Sequence, residues 1–445
     1  MPKAVIVAAT RFLRSFSRPG RILVAISGGS DSKGLLVALH SALGAAEFDA
    51  FSLVACTVDH ALRPESADEA AAVAAFCASL GIPHVICRWQ GDKPLSGVQA
   101  AARRKRYDLL AETAATFQAD CMVTGHTRDD QNETIAMRGA RDQGEGPGSA
   151  GMAAAMLYGR RIWVLRPFLE VRRTDIRAFL EARGIGWIDD PSNVNPLFER
   201  VRVRASLGAS DHVSASATAG PKRAASSARA AALLREHLRV HEGLVAAVEA
   251  TQAARMDDPD WRRALMTVGA VIGGREHLPG RTTIKRLSGF LQSGEAGRMT
   301  AGRVVFDRRR SGLYLYREPR DLPVLRIGRG ESATWDGRFN VTSLGPALTI
   351  SAEAEGGAWR QRLIAAGLPP GVAGRASLAA PRIAPAEAGD LGLEATAARL
   401  ECRIGPYDTF LPGFDRIMAD TIALSFGRDR YSAPPVDEVL TEMAR

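Results

Sequence analysis

Apolar runs bounded by turn-forming residues recur in the first half of the chain, at 21–26, 51–58, 84–89 and 121–124. Between them lie Ala- and Leu-rich stretches, 33–43, 65–80 and 98–117, each long enough to carry the chain from one strand to the next. Short strands alternating with crossover helices predict an α/β fold, an open parallel sheet with helices on both faces. Another strand-like run at 161–165 and a helix over 172–183, stopped by Gly184, complete a first domain spanning 1–207. Residues 1–16 alternate apolar and basic positions at helical spacing and lack both a long apolar core and a cleavage site, which predicts a surface helix and not an export signal.

Around 205–230 the chain becomes rich in Ala, Ser and Gly, and the pattern predicts a linker over 208–230. Leu233, Leu234, Leu238 and Leu244 recur at spacings that line one helix face, so 231–320 reads as mainly helical. Short β-like runs at 304–306, 313–316 and 339–342, separated by Gly, Pro and Asp, predict a small mixed α/β module over 321–445.

Composition narrows the class. With 445 residues, 46% hydrophobic and 24% charged, the chain is neither disordered, collagenous nor membrane-spanning. Its five cysteines are widely spaced with no C-x-x-C pair, so no disulfide framework or zinc site is signalled and a cytoplasmic location is expected. The net charge of +9 is compatible with a polyanionic partner. Ten basic and three acidic residues fall within 275–317, which makes Arg281, Lys285, Arg286, Arg308, Arg309 and Arg310 candidates for nucleic-acid backbone contact.

The sharpest chemical signal is Ser27-Gly28-Gly29-Ser30-Asp31-Ser32, set directly between a predicted strand and a predicted helix. Two glycines let backbone N–H groups converge on phosphate oxygens, the serines add donors, and the helix N-terminus favours an anion. It is not a Walker A loop, because G-x-x-x-x-G-K-S/T is absent. Asp59-His60-Ala61-Leu62-Arg63-Pro64-Glu65-Ser66 follows the second strand, and Arg103-Arg104-Lys105-Arg106-Tyr107 makes a basic helical turn. Gly125-His126-Thr127-Arg128-Asp129-Asp130-Gln131 follows the fourth strand, where a carboxylate suits Mg²⁺ and a histidine suits a phosphate or oxyanion. Asp129 and Glu133 also have a plainer reading, as acids favouring a helix N-terminus. Gly151-Met152, Arg166-Pro167-Phe168, Asp190-Pro191-Ser192-Asn193 and the alternating Arg200, Arg202 and Arg204 close the domain.

The hexapeptide resembles the pyrophosphate loop of N-type ATP pyrophosphatases, which are adenine nucleotide alpha-hydrolase-like in fold. In order and spacing, the whole motif set over about 20–207 resembles the tRNA(Ile)-lysidine synthase family. The chain departs from that pattern at Ala61, Thr127, Asn195 and Val201. The resemblance implies ligation of L-lysine to C2 of the wobble cytidine in the CAU anticodon of tRNA(Ile), with ATP and Mg²⁺, through an adenylated cytidine, changing the codon read from AUG to AUA. It implies ATP contacts from Ser27, Gly28, Gly29, Ser30, Asp31, Ser32, His60 and Arg103, and Mg²⁺ at Asp31 and Asp130. Catalytic roles fall on Asp31, His126, Asp130 and Arg200, and tRNA contact on Arg204, on the basic residues of 275–317 and on the C-terminal module. No membrane partner is expected, and a homodimer is left open. The competing readings are a tRNA thiolase or other adenylating enzyme of the same superfamily, and a catalytically silent tRNA-binding protein.

Overall fold

The computed structural model describes residues 3–142, 151–189, 199–206, 219–353, 357–386 and 398–437. Two compact units divide it: 1–224 with 412–414 and 432–445, and 225–411 with 415–431.

In the first unit, six strands run in the order β5–β6–β4–β1–β2–β3. They are β1 (Arg21–Ala25), β2 (Ser52–Asp59), β3 (His84–Arg88), β4 (Cys121–Thr124), β5 (Ala155–Tyr158) and β6 (Ile162–Leu165). All neighbours pair in parallel except β5 with β6, a hairpin that the sequence pattern did not resolve. Ile22, Leu23 and Val24 of β1 and Cys121, Met122 and Val123 of β4 are wholly buried, as central parallel strands must be. Around the sheet lie α1 (Lys3–Arg14), α2 (Ser30–Ala42), α3 (Ser66–Ser79), α4 (Val98–Thr116), α5 (Arg128–Asp142), α6 (Arg173–Glu181) and α7 (Glu199–Ser206). From β1 the chain steps one way to β2 and β3, then returns to β4 on the other side of β1. Right-handed crossovers therefore put α2 and α3 on one face and α4 on the other, and the crevice between the carboxyl ends of β1 and β4 is the switch point at which such sheets bind ligands.

The expected linker over 208–230 is corrected in its second half: 219–230 belong to helix α8 (Ala219–His237), while 208–218 lie outside the described residues. Alanine lacks the bulk that signals a core but is the strongest helix former, and here Ser227, Ala230, Ala231 and Leu234 are buried.

The mainly helical region expected over 231–320 is also corrected. An antiparallel sheet there runs β7 (Leu238–His241), β8 (Val245–Val248), β11 (Gly312–Arg317), β10 (Val304–Arg309), β9 (Gly297–Ala301). Leu238 and Leu244 were expected on a helix face, but Glu242 and Gly243 hold φ of 54° and 65° and turn the chain into a hairpin. Besides the single turn α9 (Ala250–Ala253), the helices are α10 (Pro259–Ile272) and α11 (Arg281–Gln292). Asp258 caps α10 by accepting from the N–H groups of Asp260 and Trp261, with Pro259 in its first turn.

No break in packing occurs at 320. Tyr314 and Tyr316 of β11 share one apolar cluster with Trp335, Phe339, Val341 and Ile350, so the expected C-terminal module is continuous with the preceding sheet.

Candidate active site

The loop after β1 is stapled by one side chain. The Ser27 N–H donates to Ser32 Oγ at 3.0 Å, and Ser32 Oγ lies 3.1 Å from the Ser27 carbonyl and 3.3 Å from that of Gly29. Gly29 caps α2 without any side-chain bond. Ser30 and Asp31 are therefore not spent on capping, and they open α2 beside the crevice. Two glycines lie in close approach, against a side chain in one case and against backbone in the other. A Cβ on Gly28 would fall 2.9 Å from Ile188 Cδ1, and one on Gly125 would fall 2.8 Å from the backbone of Asp31 and Ser32. Gly125 thus lets the end of β4 press against the phosphate loop.

Across the crevice, α5 begins at Arg128 and presents two carboxylates. Asp130 Oδ2 accepts from both the N–H and the Oγ1 of Thr127, each at 2.8 Å. Thr127, where the family pattern has a second histidine, therefore anchors Asp130. His126 Nδ1 lies 2.8 Å from Thr124 Oγ1, which orients the ring.

Arg173 joins the two halves. Its Nε donates to Asp31 Oδ2 at 2.9 Å, its Nη2 to Asp130 Oδ1 at 3.2 Å, and its backbone N–H to Asp129 Oδ2 at 2.8 Å. Burial raises the Asp31 pKa and the like charge of Asp130 adds to this, while Arg173 pulls it back down. For Arg173 burial works against the charge, but Asp31 and Asp130 more than offset it and the pKa is raised. The reading of motifs missed Arg173.

These groups line a cavity of about 710 Å³. One wall is apolar, with Ile26, Val58, Tyr107 and Leu110; the rest carries Arg103, Arg106, His126, Arg177 and Arg204. Arg103 stands over the Tyr107 ring at 5.2 Å. His60 is not among the lining residues. It lies behind Arg106, whose Nη2 is 3.3 Å from His60 Nε2, and burial, then the charge of Arg106, lower its pKa to about 4. Arg204, expected to meet tRNA, lines this cavity and donates to the buried Glu133 at 2.6 Å. Asp129 thus accepts from a backbone N–H at the start of α6, and Glu133 holds a specific arginine partner, beyond favouring a helix end. Arg200 lies on α7, but its side chain, like Asp190, Asn193 and Asn195, is outside the described residues.

In the second unit, Arg281, Lys285, Arg286 and Arg310 are exposed. Arg308 instead donates to the Leu291 carbonyl and Arg309 pairs with Asp307 at 3.1 Å, so these two are engaged within the fold.

The PP-loop domain description matches residues 3–210. Over its full length the chain is 64% identical to a tRNA(Ile)-lysidine synthase of Rhizobium meliloti, covering 100% of each chain. The chain belongs to the tRNA(Ile)-lysidine synthase family. A family member from Mesorhizobium japonicum is 38% identical over 93% of this chain and 94% of its own. One from Brucella melitensis is 37% identical over 72% of this chain and 74% of its own. Among the described residues, no helix is long and apolar enough to cross a membrane.

Proposed function

We propose that this chain uses ATP to ligate L-lysine to C2 of the wobble cytidine in the CAU anticodon of tRNA(Ile), releasing AMP and pyrophosphate. The observation that carries this reading is the convergence at one switch point of the Ser27–Ser32 loop with Asp31, Arg173 and Asp130.

The chemistry explains why one cavity needs both characters. The C2 oxygen of cytidine is a poor leaving group. Its attack on the α-phosphorus of ATP forms a phosphate ester and expels pyrophosphate; the lysine ε-amine then attacks C2 and AMP departs. The loop and the start of α2 would hold the departing pyrophosphate, and the apolar wall of Ile26, Val58 and Leu110 suits the adenine. Carboxylates are needed where the amine sheds its protons, and Asp130, held by Thr127 and Arg173 in the cavity lining, would take that role.

Mg²⁺ fits the same residues. Asp31 and Asp130 converge closely enough to share one guanidinium, and the raised pKa of Asp31 reflects a burial and repulsion that a cation would relieve. Two carboxylate oxygens, completed by water and phosphate oxygens, suit its octahedral demand. When bound, it would offset the charge that builds on the phosphates.

A thiolase needs a nucleophilic sulfur. The cysteine at this cavity, Cys56, has its pKa pushed up to about 12, by burial first and then by Cys87, so it stays a thiol at neutral pH. The test is to incubate the protein with ATP, labelled lysine and tRNA(Ile) bearing CAU, with tRNA(Met) as control. Label is expected in tRNA(Ile) alone; label in neither RNA overturns the reading.

A further inference from the structure

The second unit contains a cavity that the ligation chemistry does not use. It measures about 330 Å³ and lies between the end of α10, the start of α11 and the turn from β9 to β10. Its floor is apolar, with Met266 and Phe306 each 1% exposed, while Arg275, His277 and Leu278 stand exposed around its mouth. Glycines keep it hollow: a Cβ on Gly269 would come within 3.2 Å of Phe306 Cζ, whereas one on Gly280, at the mouth, meets nothing within 4 Å.

The cavity lining and the elements that follow it in the chain carry cations without partners. Arg275, the pair Arg281 and Lys285 one turn apart on α11, their neighbour Arg286, and Arg298 on β9 are all exposed. Among the described residues none of the five has an ion pair or side-chain hydrogen bond. Of the acids in this stretch, Glu276 accepts from Arg403 at 2.6 Å and Asp307 pairs with Arg309 and Arg375, while Glu295 is exposed between α11 and β9. A small recess with apolar residues at its floor, an imidazole at its lip, the unpaired Arg275 in its lining and Arg281 next in sequence to Gly280 at its mouth matches a flat ring joined to a phosphate. The volume, at the low end of about 300–1,000 Å³ for small-molecule sites, suits one such group.

We propose that this cavity binds a single unstacked nucleotide of the tRNA, its base over the apolar floor beside His277 and Leu278 and its phosphate facing Arg275 and Arg281. The nucleotide comes from a loop or an end, because a base within a helix has no free face to offer. The assignment rests on the tRNA substrate proposed above and adds to it a second, base-contacting site remote in sequence from the catalytic loop.

The test measures the Kd of the full-length protein for a CAU-anticodon tRNA(Ile) transcript across a salt series. Gly280→Trp blocks the mouth from a position where the new side chain enters open space, and His277→Ala removes the stacking surface. Each is expected to weaken tRNA binding about tenfold, within the range for losing one stacked base, with the salt slope unchanged. His277→Phe restores binding. The Arg281→Ala/Lys285→Ala double variant lowers the slope by about two, the counterion release of two phosphates. Melting curves and ATP binding of all variants match the parent protein. If Gly280→Trp and His277→Ala leave the tRNA Kd within twofold, the inference is overturned even if they lose binding of free CMP, and the proposed function stands. Parent protein that fails to bind tRNA overturns both.

Discussion

Replacing Arg173 by methionine tests the central claim about the site. The substitution keeps most of the side-chain volume and the backbone N–H that donates to Asp129, but leaves Asp31 and Asp130 facing each other without their shared cation. Removing one partner of a buried ion pair costs about 3–5 kcal/mol. Arg173 and Asp31 retain 20% and 21% side-chain exposure, so water screens part of the charge and about 2–3 kcal/mol is expected. For a unit of this size that lowers the melting temperature by roughly 5–10 °C. The sign with pH is fixed by the direction of the Asp31 shift. Its pKa is already raised in the fold, so deprotonation on raising the pH costs stability, and losing Arg173 raises it further. The penalty is therefore full at pH 7.5 and shrinks toward pH 4.5 as Asp31 takes up a proton. Thermal melts of parent and variant at the two pH values, with EDTA or with Mg²⁺, provide the assay. Mg²⁺ narrows the gap at pH 7.5 by replacing the missing charge. Equal destabilisation at both pH values, unmoved by Mg²⁺, would refute the claim that Arg173 acts by neutralising this pair.

Three further outcomes follow from the same geometry. Gly125→Ala drives a Cβ to 2.8 Å from the Asp31 and Ser32 backbone, costs about 1–3 kcal/mol by overpacking, and weakens ATP binding in calorimetry by at least tenfold through displacement of the loop. Thr127→Val deletes the 2.8 Å hydroxyl bond to Asp130 but keeps the backbone one, costing about 1 kcal/mol in denaturant melts and lowering kcat, whereas Thr127→Ser retains both properties. His60, neutral in the fold down to about pH 4, contributes stability above its unfolded pKa of about 6.5 that is lost as pH falls through its folded value; His60→Gln flattens the stability profile between pH 6.5 and 4.

How much was legible from sequence follows from how local each signal is. The loop 27–32 and the segment 125–130 each lie at one strand end, so alternation of strands and helices was enough to bring them to one edge of the sheet. Arg173 comes from a helix start 142 positions beyond Asp31, and no strand-end motif contains it. One signal was available: Arg173, Ile176 and Leu180 lie at i, i+3 and i+7, so Arg173 shares the face of α6 that is buried, with Ile176 set against Gly34 of α2. Spacing alone does not separate Arg173 from Arg172, which stands at i, i+4 and i+7 with Ile176 and Phe179; the structure does, because Arg172 is the N-cap outside the helical turns and is exposed. In the second half the helical pattern failed because Leu233, Leu234 and Leu238 continue one periodicity across a true helix end. The break at Glu242 and Gly243 is a backbone event that apolar spacing does not register.

Charge also changes meaning once partners are visible. In the cavity beside the loop 27–32, Arg173, Arg177 and Arg204 are each paired with a carboxylate, of Asp31 and Asp130, Asp189 and Glu133. Arg103 has no ion pair among the described residues, and Arg106 faces a histidine whose lowered pKa keeps it uncharged. The cavity is thereby divided: its paired side is close to neutral and acidic in donor set, and the side with Arg103 and Arg106 remains cationic. A reaction between a polyphosphate and an amine needs that division, because a uniformly basic cavity would bind the phosphates and repel the ammonium form of lysine, while a uniformly acidic one would do the reverse. The +9 net charge gives no hint of this, since the arrangement resides in which arginines are neutralised and not in how many there are.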